Sequence, residues 1–256
     1  MQFVKKRVKM RVVKSVLLAI MFLLISNGMQ AQSGEKLPDT NKRMPFEHGT
    51  YVQVLNIVGM DGNTKMIQTV YFDRWGEWVA AENQSDTNTD NFKIHKLTII
   101  KGNIRWGIDL ITKTGEMIEF PAEYIESLRK TNDFETALTY FKEMFGKEME
   151  LKEMGEEEYL GYICKKTYIK YPTTEPKSRK QKKKQTENTI AAMEITALTY
   201  GNGNFPMKTD MKLNIEGVSM EMSLKTISIN LDAPPASVFE VPDDVEIEFL
   251  DEEVGE

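Results

Sequence analysis

Hydrophobic and polar residues change period twice along this chain. From Tyr51 to Ile111 they alternate in short runs, the signature of strands with one buried face. Tyr51–Met60 and Met66–Phe72 flank Asp61-Gly62, a pair that favours a tight hairpin because glycine accepts positive φ without steric cost. Trp75-Gly76, then Glu77–Ala81, predicts another turn and strand. After a polar loop at 83–91, Phe92–Lys101 and Ile104–Ile111 read as a hairpin around Gly102-Asn103. In its second arm Ile104, Trp106, Ile108 and Leu110 alternate with Arg105, Gly107 and Asp109.

Past Pro121 the period lengthens to that of a helix. Proline suits a first helical turn, where its missing N–H costs nothing, and Tyr124, Ile125 and Leu128 then share a face. Asn132 with Glu135 three residues on resembles a capping pair. Phe134, Ala137, Leu138, Phe141, Met144 and Phe145 follow at helical spacing before Gly146, a natural stop. Two short helices, or one kinked helix, are expected. Residues 147–158 are acidic and without pattern. Strands are predicted again at Tyr159–Tyr171, Ile190–Tyr200, Met207–Ile215 and Val218–Leu231, the last two joined at Glu216-Gly217. Asp232–Pro235 breaks the pattern, and Val238–Pro242 is expected to be a short closing strand.

About five strands, a helical middle and about five more strands imply an α+β, mostly β class. An antiparallel sheet curled over the helical segment would bury both apolar surfaces in one core. Residues 49–249 are predicted to be a single domain, with 32–48 a disordered leader, 172–189 a basic insertion and 250–256 an acidic tail.

The first 31 residues do not fit that sheet. Lys5, Lys6, Arg7, Lys9, Arg11 and Lys14 precede the apolar run Val16–Ile25, and Ala31 offers a cleavage position, the layout of a secretory signal peptide. The run is shorter than the roughly 20 residues of a membrane span. Cleavage would remove six basic and no acidic residues, taking the net charge from −6 to −12. So acidic a chain does not bind nucleic acid through bulk charge, and no specific nucleic-acid partner is expected. The single cysteine, Cys164, can form no internal disulfide and does not stand at the cut, where a lipid-anchored protein would need it. The expectation is a periplasmic or secreted protein, soluble after cleavage.

Several short patterns carry a resemblance: Tyr71-Phe72-Asp73 before a glycine turn, Gly161-x-x-Cys164-Lys165-Lys166 on a strand, Phe205-Pro206-Met207-Lys208 before a hairpin, and Pro235-x-x-Val238-Phe239-Glu240-Val241-Pro242 at the end. In order and spacing the chain resembles exported proteins of unknown function related to the lipoprotein carriers LolA and LolB. That resemblance implies an open, incomplete antiparallel β-barrel with helices over its mouth, whose concave apolar face holds acyl chains in the carriers. The basic insertion at 172–189 sets this chain apart from the carriers themselves.

The motifs of enzymes are missing. His48 and His95 are the only histidines, and the chain has no His-Glu-x-x-His, Gly-x-Ser-x-Gly or phosphate-loop pattern. No catalytic residue, metal or cofactor is expected. Ser127-x-x-Lys130 matches a catalytic pattern too short to mean more than an exposed helix face. Asp86-x-Asn88-x-Asp90 opens like a calcium loop but has Asn91 and Leu97 where Gly and Glu are needed. Cys164 reads as a buried structural cysteine.

Two features point to binding. Lys177, Arg179, Lys180, Lys182, Lys183 and Lys184 form a basic cluster that is either a solubilising loop or a contact for an anionic membrane surface. Methionines on the late strands could repack around a variable apolar ligand or simply fill a core. The expected apolar lining is Trp106, Ile108, Leu110, Phe134, Leu138, Phe141, Met211, Met220 and Met222. The function these imply is non-enzymatic retention of a lipid or acyl chain. The alternative is an envelope scaffold with a filled interior and an envelope protein as its partner.

Overall fold

The computed structural model describes residues 44–59, 62–85, 93–121, 150–171, 190–201, 205–215 and 218–250. The expected helical segment at 121–146, the basic insertion and the signal segment fall almost wholly outside them. The described residues form one large curled sheet of twelve strands, open and not closed into a barrel.

The strands are β1 (Gly49–Gly59), β2 (Gly62–Asp73), β3 (Trp78–Ser85), β4 (His95–Lys101), β5 (Ile104–Asp109), β6 (Thr114–Glu119), β7 (Glu150–Tyr159), β8 (Tyr162–Tyr171), β9 (Ile190–Tyr200), β10 (Phe205–Ile215), β11 (Val218–Asn230) and β12 (Glu246–Phe249). Across the sheet they run β12-β6-β5-β4-β3-β2-β1-β11-β10-β9-β8-β7. Neighbours in sequence pair as antiparallel hairpins within each half, and β1 with β11 joins the halves. Gly59 faces Gly62 at the first turn, where Gly62 takes φ +110°.

Five segments differ from expectation. The acidic stretch is strand β7, an edge strand exposed along nearly its whole length. An edge needs no buried face, so alternation is absent, and its glutamates discourage pairing with another chain. Val238–Pro242 is not a strand: Ala236–Phe239 forms a 3-10 turn behind Pro234 and Pro235. Proline cannot donate to a ladder, and here Val238 N–H donates to the Pro235 carbonyl (3.1 Å) and Glu240 N–H to that of Ser237 (3.2 Å). Strands β6 and β12 were not anticipated, and their pairing is parallel, the one parallel ladder among the described strands. At the end of the leader, residues 44–48 lie against the sheet: Met44 N–H donates to the Trp75 carbonyl (3.0 Å) and Trp75 N–H to that of Glu47 (2.7 Å).

Candidate ligand-binding face

Residues directly opposite in an antiparallel ladder point to the same face, so register assigns every side chain to one face of the sheet. Met211 stands opposite Met222, Met222 opposite Ile57, and Leu224 opposite Leu55, which faces Met66. The same face continues through Val70, Ala81, Thr98 and Gly107. The other face carries Ala80, Ile99, Trp106 and Met117 in register across β3 to β6.

Three apolar clusters result, two on the first face and one on the second. The first is rich in methionine: Met66, Met193, Met211 and Met222 are buried with Leu55, Leu213 and Leu224, and Ile57, Ile195 and Met220 pack at its margin. The second is aromatic, with Tyr51, Phe72 and Phe205 buried beside Val70, Leu198, Met207 and Cys164. Phe46, from the leader, is seated in it, stacked on Tyr200 (centroids 5.6 Å apart) and edge-on to Tyr162 (5.8 Å) and Phe205 (6.0 Å). Such pairs contribute about 0.5–1.5 kcal/mol each beyond burial.

The third cluster, on the opposite face, joins Ala80, Ile99 and Ile108 to Trp78, Trp106 and Leu110. The chain's own end covers it. Phe239 is 2% exposed and meets the Trp78 ring edge-on at 5.9 Å, with Val241, Val245 and Ile247 alongside. Gly115 makes room for this covering: a Cβ there would stand 2.8 Å from Ile247 Cδ1 and 3.0 Å from the Gly107 carbonyl oxygen.

A row of polar side chains separates the methionine cluster from the aromatic one. In direct register across five strands stand Thr226, Gln53, Gln68, Asn83 and Lys96, and Asp109 continues the row on β5. Gln53, Gln68 and Thr226 are buried. Gln53 Nε2 donates to Thr226 Oγ1 (3.0 Å) and to the Pro206 carbonyl (3.0 Å), and Thr226 Oγ1 donates to that same carbonyl (2.8 Å). Gln68 Nε2 donates to Asn83 Oδ1 (2.8 Å). The first group sits where the β1–β11 register slips after Val52 and the β9–β10 register slips at Pro206. Side chains there bond a carbonyl whose ladder is interrupted. At the far end Asp109 accepts from the N–H groups of Ile111 (3.0 Å) and Thr112 (3.2 Å). The Thr112 bond foremost holds its carboxyl below the usual range, with a smaller contribution from the Lys96 charge.

The nine predicted lining residues therefore do not share one surface. Met211, Met220 and Met222 gather in the methionine cluster, whereas Trp106, Ile108 and Leu110 lie on the other face beneath the C-terminal segment. Phe134, Leu138 and Phe141 lie outside the described residues, as do Lys177, Arg179, Lys180, Lys182, Lys183 and Lys184, the pair Ser127 and Lys130, and the calcium-loop-like residues Asp86, Asn88 and Asp90. Sequence reasoning missed Gln53, Gln68 and Thr226. Their alternation with apolar neighbours put them on the buried face, but polar type argued for solvent.

The other candidates have plain surroundings. Cys164 is fully buried and its Sγ donates to the Tyr162 carbonyl (3.4 Å); burial pushes the thiol pKa up, away from a reactive thiolate. His95 Nε2 lies 2.6 Å from Glu82 Oε1. Among the described residues no three His, Cys, Asp or Glu side chains are grouped to hold a metal ion. Nor is any helix among them long and apolar enough to cross a membrane.

No protein family and no curated protein matches the sequence. Among solved structures, an uncharacterised conserved protein from Thermus thermophilus shares 10% identity, covering 82% of this chain and 94% of that one, at a TM-score of 0.43. The MucA/MucB complex of Pseudomonas aeruginosa matches at 8% identity over 82% of this chain and 61% of that one, TM-score 0.39. A putative outer membrane lipoprotein-sorting protein domain from Vibrio parahaemolyticus matches at 9% identity over 78% and 92%, TM-score 0.33. Likeness at this level assigns this chain neither a family nor an activity.

Proposed function

We propose that this chain is an exported, non-enzymatic binding protein that holds an apolar ligand, a lipid or acyl chain, on the methionine-bearing face of its curled sheet. One observation carries the reading: four of the seven buried residues of that cluster are methionines, drawn from β2, β9, β10 and β11. An unbranched thioether can repack around ligands of different shape at little cost, and each ligand methylene buried would contribute roughly 0.8 kcal/mol. Binding of this kind needs no base, nucleophile or metal. The basic cluster at 177–184 would bring the protein to an anionic membrane surface, each cation contributing about 1 kcal/mol at low salt.

The alternative, an envelope scaffold with a filled interior that docks another envelope protein, draws support from the other two clusters. The chain fills both with its own Phe46 and Phe239. Native mass spectrometry of protein purified from its own compartment separates the two. Carriage predicts a co-purifying mass of lipid size and a fluorescence gain from a lipophilic dye. Repeated absence of both would reject it in favour of the scaffold.

A further inference from the structure

The polar row has a chemistry of its own. Where it borders the methionine cluster it consists of two glutamines, an asparagine and a threonine, groups that offer both donors and acceptors and carry no charge. Leu224, Leu55 and Met66 stand one step from Thr226, Gln53 and Gln68 on the same face. An apolar chain lying along those residues would thus end at amides and a hydroxyl. The row's charges come only further out, and there they are opposite in sign: Lys96 stands in register with Asp109. Lys96 is itself exposed, so the row offers a buried anion no buried cation, and desolvating one there is costly. A neutral ester, amide or hydroxyl could exchange hydrogen bonds with the row at little cost. The aromatic cluster beyond it already holds Phe46, which favours the methionine side for the ligand's apolar part.

On these grounds we infer that the ligand is an acyl chain bearing an uncharged hydrogen-bonding group, seated against Gln53, Gln68 and Asn83, and that carriers of an anionic head are disfavoured. This rests on the methionine face being the binding face. The test uses the full chain, a neutral lipophilic dye, and two displacing probes of equal chain length below their aggregation limits: monomyristoylglycerol, and lysophosphatidic acid with the same myristoyl chain. The expected result is dye binding, with the glycerol ester displacing dye at least tenfold more effectively than the phosphate. Asn83→Lys, at a half-buried position where the uncharged part of the row ends, places a cation there and should move that ratio at least tenfold towards the phosphate. Asn83→Asp should move it the other way. Dye binding with equal or better displacement by the phosphate in the unsubstituted chain overturns the inference and leaves the binding function standing. An absence of dye and lipid binding overturns both. If neither variant folds, as judged by its melting curve, the ratio in the unsubstituted chain still decides.

Discussion

Replacing Phe239 with alanine tests whether the second face is sealed by the chain itself. The ring is almost wholly buried, between Trp78 and the β3–β4 side chains Ala80 and Ile99. Removing a buried phenylalanine ring costs about 3–5 kcal/mol when the surroundings cannot collapse. Here they can partly yield. Phe239 belongs to a terminal segment held beyond it by Val241, Val245, Ile247 and the short parallel ladder of β12 on β6. The loss cannot exceed the free energy that docks the whole segment, so about 3 kcal/mol is expected, with detachment rather than global unfolding as its form. Urea titration monitored by tryptophan emission reads both. Trp78 and Trp106 belong to the cluster, and Trp78 is also faced by the Arg74 guanidinium at 3.9 Å and Lys101 Nζ at 5.0 Å. The variant should therefore shift its emission to longer wavelength before the main transition, and gain fluorescence from a lipophilic dye on the bared surface. A loss under about 1 kcal/mol with native emission unchanged would falsify the assignment of Phe239 as the seal.

Three further outcomes are expected. Gln53→Leu removes the donor to Thr226 and Pro206 but leaves Thr226 Oγ1 donating to that carbonyl, so it should cost about 0.5–1.5 kcal/mol in chemical denaturation, the net worth of a hydrogen bond rather than of an orphaned group; a neutral effect would show that the Thr226 bond alone suffices at the two register slips. Asp109, whose carboxyl is held low by the Thr112 and Ile111 N–H groups, stabilises the fold above the ordinary carboxylate pKa of about 4. That contribution is lost as pH falls below 4 towards its lowered folded value, so Asp109→Asn should flatten the acid limb of a melting-temperature profile and leave the alkaline limb unchanged. Deletion of 177–184 should weaken sedimentation with anionic liposomes while the melting temperature holds; equal binding by the deletion would reject a membrane role for the cluster.

The strands that alternate cleanly were legible from residue type alone. In β10 and β11 burial alternates with the methionines on the inner face, whereas in β5 Ile104, Trp106 and Ile108 share a face opposite Arg105, Gly107 and Asp109 but only Ile108 is fully buried. What sequence could not give was the identity of each face relative to the others. Trp106 and Met211 both alternate, yet the first is half-buried in the cluster beneath the chain's C-terminal segment and the second lies on the opposite side. Only register, accumulated strand by strand from β10 to β5, separates them. Edge strand β7 was hidden because alternation marks a buried face, and it has almost none. The row through Gln53 and Gln68 was hidden for a related reason. A buried amide is legible only once its partners, 173 residues away for Thr226 and 153 for Pro206, are known.

That same separation governs how the molecule comes into being. The seam between β1 and β11 lies near the middle of the sheet, yet its second lip emerges long after its first, Thr226 standing 173 residues beyond Gln53. Until it arrives, one long flank of β1 offers unpaired amides and carbonyls to any passing strand. Closing so distant a pairing is also intrinsically slow. The nascent protein thus passes through a lengthy interval in which its centre is its most adhesive region, and a helper that shields that flank would raise the yield more than any gain in final stability.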